Sequence, residues 1–334
     1  MERNDWKLTR RELLKLAAAF AAAAALPRLE ASATAAAATP RRGDDAGNAW
    51  AIDGSSNFQA IYGDPQLRAA FLLFLTNVFH LYPEDRLHAL IGEIAQPGTP
   101  DREVYLQLQR RLPEVKPFLS EARLALPALW KQKAEMARQT LELLGSTPRI
   151  DGFLEIGSTG RYLGKLRTMA AITGDVVLLH TDAPTYSPID IAERGGLRKI
   201  GRHVPLADYA PVTDVGEASL DLVGNYIGFH HAPPESRDAF VKSLHRALRP
   251  GGRLILRDHD VDSPGMNRIV ALAHDVFNMG IGVDWSVNQQ EIRNFTSVPE
   301  IVGYLEGLGF RYGRRPLLQD GDPTHNALME FVKV

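Results

Sequence analysis

The 334-residue chain contains no cysteine. That excludes a disulfide framework, a thiolate metal site and a cysteine nucleophile, and a chain without thiols is at ease in an oxidising compartment. It has no basic excess: 38 Lys and Arg stand against 40 Asp and Glu, for a net charge of -2. A general nucleic-acid-binding surface needs such an excess, so no nucleic-acid partner is expected. It has no apolar run of membrane length either. The run from Leu16 to Leu26 is shorter than the ~20 residues a spanning helix takes, and no stable membrane span is expected. No internal repeat is found. What remains is a hydrophobic content of 45%, ordinary for a globular protein, in a chain long enough for one large domain or two small ones.

Residues 1–15 are polar and basic. Thr9-Arg10-Arg11-Glu12-Leu13-Leu14-Lys15 is followed by the Ala-rich run, by Pro27 and by Ala31-Ser32-Ala33, a small-residue cleavage pattern. This order resembles a twin-arginine (Tat) signal over residues 1–33. The resemblance implies export of the folded chain by the Tat translocase, and a periplasmic location in a bacterium. The chain would be cytoplasmic if the signal is not used. The competing reading is an Ala-rich helix carrying two arginines by chance. Residues 34–57 are rich in Ala, Thr, Gly and Asp without hydrophobic period, as in a linker.

Residues 58–147 read as helices. "LRAAFLLFLTNVFHLY" (67–82) is apolar on nearly all sides, with Pro65 placed for a first turn, and predicts a buried helix. "PEDRLHALIGEIA" and "DREVYLQLQRRL" are amphipathic at helical spacing. "PALWKQKAEMARQTLELLG" opens on Pro127, closes on Gly145, and places Leu129, Ala137, Leu141 and Leu144 on one face. His80 and His88 have no partner at ligand spacing and read as packing or surface residues.

From Ile150 short apolar runs alternate with helical segments, the pattern of a parallel sheet with crossover helices. "GFLEIG" is a strand and "RYLGKLRTMAAIT" the helix after it. "DVVLLHTD" is a strand and "SPIDIAERGG" a short helix capped by Ser187. Further strands fall in "LRKIGRHVPL", "SLDLVGNYIGF" and "RLILRDHD". "PPESRDAFVKSLHRALRPGG" is a helix, and "SVPEIVGYLEGLGF" opens on a capping-box pattern, Ser297 and Glu300. "FRYGRRPLL" and "NALMEFVKV" read as an antiparallel pair at the sheet edge. Glu155-x-Gly157-x-x-Gly160, Asp182, "LDLVGNYIGFHH" and "LHRALRPGGRLILRDHD" together resemble a class I S-adenosylmethionine (SAM)-dependent methyltransferase over residues 148–334. The resemblance implies an α/β fold: a Rossmann-like, doubly wound, mostly parallel seven-stranded sheet with an antiparallel last strand, preceded by the helical region.

It also implies a site at the carboxyl ends of the strands. SAM would lie against the turn Gly157-Ser158-Thr159-Gly160, where glycine lets the backbone come close and the hydroxyls can cap the next helix. Glu155 would face the cofactor's cationic end, Asp182 the ribose hydroxyls and Asp208 the adenine amine. Asn225 and Tyr226 would lie beside the reacting methyl. The turn departs from the family pattern: the expected glycines fall on Gly157, Thr159 and Arg161, as if one glycine were deleted. His231 and His259 follow strands that border the site and are the candidate proton acceptors, with His230 beside them. Asp258, Asp260 and Asp262 alternate and read as a solvated run, so no metal site is expected. His274-Asp275 either points to the same mouth or flanks an apolar helix face, and "NMGIGVDWSVNQQEIRNF" can fold over a substrate as a lid. The function implied is methyl transfer to a small-molecule or peptidic acceptor. The alternatives are a catalytically degenerate methyltransferase fold used as an exported binding or structural protein, and an NAD-dependent oxidoreductase. Glu155 before the first glycine, the missing third glycine and the terminal strand pair count against the oxidoreductase.

Overall fold

A computed structural model describes residues 56–116, 124–145, 149–226 and 228–334, with Ile189 through its backbone only. The expected Tat signal, and the expected linker up to residue 55, lie outside the described residues. The helices are α1 (Asn57–Gly63), α2 (Pro65–Phe74), α3 (Glu84–Ile94), α4 (Asp101–Val115), α5 (Leu126–Leu144), α6 (Leu163–Leu166), α7 (Pro188–Arg194), α8 (Pro234–Ala247), α9 (Pro264–Gly280), α10 (Trp285–Asn288) and α11 (Val298–Glu306). The strands are β1 (Arg149–Ile156), β2 (Ala171–Leu179), β3 (Arg202–Val204), β4 (Leu220–Asn225), β5 (Leu248–His259), β6 (Phe310–Tyr312), β7 (Leu317–Leu318) and β8 (Asn326–Lys333).

The strands form one sheet in the order β3-β2-β1-β4-β5-β8-β6, with β7 also paired to β8. β1 to β5 are parallel, and β8 runs antiparallel to β5, β6 and β7. The fold is the expected Rossmann-like one, and the two-residue β7 brings the strand count to eight rather than seven. Side chains alternate between faces, as the pleat dictates. Leu154, Ile156, Val223, Leu254 and Leu256 bury one face under α8 and α11. Phe153, Leu222 and Ile255 bury the other under α5 and α6. β1 and β4 are neighbours at the centre, and the chain winds outward from them in both directions. This is the topological switch point where such sheets bind ligands.

The N-terminal helices pack elsewhere. Phe58, Phe71, Leu87, Leu108 and their neighbours form a separate core with Ile269, Leu272, Val276 and Met279 of α9. That helix is therefore the slab between the helical region and the sheet. Caps read from sequence are in place: Ser187 accepts from Asp190 N–H, and Ser297 and Glu300 close a capping box. Asp64, ahead of Pro65, adds another by accepting from Gln66 and Leu67 N–H.

Two elements differ from expectation. The helix over 67–82 ends at Phe74, becomes a π-turn over Leu75–Phe79 and stops at His80 with φ 46. Residues five apart fall on different faces of an α-helix. Widening the turn lets Phe79 join Phe74 in the core, their rings 6.3 Å apart. The expected helix "RYLGKLRTMAAIT" shrinks to α6, because Ala171–Thr173 pair with Arg149–Asp151 as the start of β2.

Two glycines test this packing. A Cβ on Gly164 would lie 2.1 Å from the Arg194 carbonyl oxygen, whereas one on Gly303, inside α11, would meet nothing within 4 Å. In urea unfolding, Gly164→Ala is expected to cost roughly 1–3 kcal/mol or more through forced backbone shifts. Gly303→Ala is expected to gain about 0.5–1 kcal/mol of helix propensity.

Candidate functional site

β1 delivers Glu155 to the start of the glycine turn, where the carboxylate is fully buried. It accepts hydrogen bonds from the Ser158 hydroxyl, from Tyr162 N–H at 3.1 Å and from Leu163 N–H at 2.6 Å. Ser158 Oγ in turn accepts from Gly160 N–H at 3.1 Å and Arg161 N–H at 2.9 Å. Burial pushes the Glu155 carboxyl above its ordinary range, and the Ser158 and backbone donors pull the other way. The structure thus gives Glu155 a different setting from the expected one. Its oxygens hold the turn together from inside, rather than lying free for a cofactor's cation. Gly157 and Gly160 sit at φ 83 and 105, and a Cβ on Gly160 would come within 2.9 Å of Ile200 Cδ1. The shortened turn is therefore a well-formed one. Thr159, beside them, is nearly buried.

At the end of β4, Asn225 pairs in register with Ile156 of β1. Its side chain is 1% exposed, and neither its amide nitrogen nor its oxygen has a partner among the described residues. Native structures rarely leave a buried amide in this state without a ligand or water to complete it. Tyr226 turns to the opposite side. Its ring lies 4.6 Å from that of Tyr162, and its hydroxyl pairs with Thr140 Oγ1 of α5 at 3.0 Å, so it packs into the helix-covered face. Asp182 is exposed three residues past β2, its N–H donating to His180 Nδ1 at 3.1 Å. Asp208 is exposed in the turn Ala207–Tyr209 at φ 51.

The two candidate histidines do come together, and with two more. His231 follows β4 and His259 ends β5. Around His230, the rings of His231, His274 and His259 lie at 4.2, 4.9 and 5.7 Å, and Phe295 closes one side at 5.1 Å. His230 Nδ1 is 2.6 Å from Asp258 Oδ1, and His231 Nδ1 is 2.7 Å from the Ile292 carbonyl oxygen. Both partners only accept, so Nδ1 carries a proton in each ring, and burial, which lowers His231, favours a free lone pair on its Nε2. His230 Nε2 is buried without a partner among the described residues.

Burial, reinforced by His230, lowers His231 and holds His259 down to about 4, and burial drives His274 well below its ordinary value. Asp258 is pushed up by burial, but the His230 charge and hydrogen bond outweigh this and hold it low. Burial likewise opposes the ionised form of Glu291, yet His274 and Arg293 bring it down to about 2. Burial thus disfavours the charged forms of His231, His259 and His274, while Asp258 and Glu291 are held toward their ionised forms.

Of the two readings open for His274, the structure bears out the one that points it to the same mouth; sequence reading missed Glu291 and took Asp258 for part of a solvated run. β5 ends at His259, and that separates the three aspartates, which alternation along a strand would put on one face. Asp258 is buried on His230, Asp260 accepts from Val298 N–H at 2.8 Å at the start of α11, and Asp262 is exposed. The segment read as a lid lies over the histidines: Asn294 N–H donates to His230 O at 2.9 Å.

The chain matches no protein-family model and no curated protein. Among solved structures it resembles methyltransferases. One is the Burkholderia thailandensis 1,6-didemethyltoxoflavin-N1-methyltransferase, solved with bound 1,6-didemethyltoxoflavin and S-adenosylhomocysteine (16% identity, 62% of this chain and 79% of that one, TM-score 0.39). Another is an S-adenosylmethionine-dependent methyltransferase from Mesorhizobium loti (15%, 60% and 96%, TM-score 0.41). A third is the mitomycin 7-O-methyltransferase MmcR (16%, 83% and 70%, TM-score 0.43). At that level of overlap the chemistry of this chain rests on its own residues.

The internal role of Glu155 is open to measurement. Glu155→Ala leaves the Ser158 hydroxyl and two backbone N–H groups inside the core without their acceptor. At about 1–3 kcal/mol per stranded group, denaturant unfolding is expected to show a loss of at least ~3 kcal/mol. Glu155→Gln, which keeps one acceptor, is expected to lose less.

Proposed function

We propose that the chain is a SAM-dependent methyltransferase acting on a small-molecule or peptidic acceptor. The observation that carries this reading is the unpartnered, buried amide of Asn225 at the β1–β4 switch point, beside the turn Gly157–Gly160. An amide there can both donate to and accept from a ligand with mixed polar groups. Gly157, Ser158, Thr159 and Gly160 would give the cofactor close backbone approach. Asp182 and Asp208, both exposed along the same edge, would take its ribose hydroxyls and adenine amine. Bound SAM would supply an electrophilic methyl group. The chain's own part is alignment, and a base where the acceptor carries a proton. His231 is suited to that: its Nδ1 is fixed on the Ile292 carbonyl, leaving Nε2 to accept. His259 is more enclosed, with Nδ1 3.3 Å from Thr324 O.

A second reading is favoured by the internal engagement of Glu155 and by Tyr162 and Tyr226 packed together. It is a methyltransferase fold that binds a ligand without catalysis. Calorimetry with SAM, S-adenosylhomocysteine and NADH separates the readings. Binding of SAM that weakens in Asn225→Ala by about 1–3 kcal/mol, the scale of an unpaired polar group, supports the first. His231→Ala is then expected to leave affinity intact and to slow turnover by roughly 10²–10⁴-fold, the usual loss of a general base. Failure of the wild-type chain to bind SAM or its demethylated product rules out the methyltransferase reading.

We also read residues 1–33 as a Tat signal, on the order of basic start, apolar run and small-residue site. A reporter active only after folded export, fused to residues 1–40, is expected to be active. Joint replacement Arg10→Lys and Arg11→Lys is expected to silence it. A full-length cytosolic product in the native host is the contrary result.

A further inference from the structure

His230, His231 and His274 each offer one ring nitrogen within 4.8 Å of the other two. They come from two places in the chain, the turn after β4 and the middle of α9, so the fold has brought them together. Three features distinguish the group from histidines that merely pack. First, each of two rings is oriented through Nδ1 by an acceptor, Asp258 or the Ile292 carbonyl, and turns Nε2 away from it. That is the support a metal-bound imidazole uses to fix tautomer and raise basicity. Second, His230 Nε2 is buried and unpartnered among the described residues, although a buried ring nitrogen ordinarily finds a partner. Third, a carboxylate is held against the cluster. Glu291 has its oxygens 3.8 Å from His231 Nε2 and 3.6 Å from His274 Nδ1. It is steered there by Arg293 at 2.8 Å and Asn278 at 3.1 Å, and Arg293 and Asn288 are anchored on the buried Asp275, each at 2.8 Å.

We infer that His230, His231 and His274, with Glu291, form a binding site for a divalent first-row transition-metal ion. The donor set decides the class of ion. Imidazoles with one carboxylate suit Zn²⁺, Co²⁺ or Ni²⁺, whereas Mg²⁺ and Ca²⁺ ask for oxygen ligands. Asp258 and Glu291 bring two negative charges to a divalent cation. His259 stands beside the set as a fourth imidazole, 5.9 Å from His274 between ring centres. The site owes nothing to the cofactor reading and is read without SAM. With an ion on His231 Nε2, that nitrogen would no longer take the acceptor's proton, and the ion would instead lower the pKa of an acceptor bound to it.

The test uses the full chain without a histidine tag, stripped by chelator, then titrated with Zn²⁺ by calorimetry and with Co²⁺ by visible absorption. One equivalent of each ion is expected to bind, with d–d bands for Co²⁺ and a rise in Tm on Zn²⁺ addition. His230→Ala is expected to weaken uptake by at least 100-fold. Asp258→Asn, which removes only the carboxylate behind His230, is expected to weaken it by about 10–100-fold, the usual effect of an orienting partner. Because His230 is buried, the His231→Gln and His274→Gln chains provide the same comparison at less enclosed positions, with circular dichroism to establish that they fold. A wild-type chain that takes up neither ion overturns the inference, as does a folded His231→Gln, His274→Gln double variant that binds as tightly as wild type.

Discussion

One buried carboxylate holds the centre of this molecule together. Glu155 ends β1, and the chain after it wraps round its two oxygens until α6 begins. The arrangement passes outward through neighbours. Arg161, whose N–H rests on Ser158, forms a paired-nitrogen salt bridge with Glu193 of α7. The far end of α7 is held by Lys133 of α5, which donates to the carbonyls of Ala192 and Glu193 at 3.1 and 2.6 Å. Burial presses that ammonium down to about 8. A cation at a helix C-terminus is favourable, so β1, the turn, α7 and α5 form one electrostatically linked body. Breaking a buried charge out of such a set costs far more than its presence contributes.

A second linked body lies on the other side of the switch point. Asp275 of α9 joins Asn57 of the helical region, Asn288 of α10 and Arg293 at 3.3, 2.8 and 2.8 Å. One turn position away, His274 enters the histidine cluster. α9 therefore carries an apolar face for the helical core, an ion pair for the covering segment and an imidazole for the site. The Asn225 amide lies beside the end of β1, next to the Glu155 turn.

What the sequence disclosed follows from which forces are local. The strands, the caps at Ser187 and Ser297, and the stop at Gly145 rest on neighbours a few residues apart, and their spacing is visible in one dimension. The π-turn at Leu75–Phe79 was hidden because tertiary packing of Phe79, not propensity, sets it. β2 begins early because Arg149–Asp151 offer it partners, which the sequence of 171–173 does not reveal. In the site, His231 and His259 were legible by position after their strands. His274 was legible only as one of two readings, and Glu291 not at all, because they reach the cluster from elements far apart in the chain, with no ligand spacing to mark them. Asp258 looked like one of three equal carboxylates. Its place inside β5 buries it, while the other two fall past the strand's end at His259.

The segment over the histidines is fastened to the residues it covers: Asn294 N–H to the carbonyl of His230, and the Ile292 carbonyl to the ring of His231. Whatever swings that segment aside removes, in the same movement, the acceptor that fixes the His231 tautomer. An open pocket is thus one whose imidazole can rotate and relocate its proton, and a closed pocket is one whose imidazole is set. Uncovering the histidines and fixing the His231 ring therefore exclude one another.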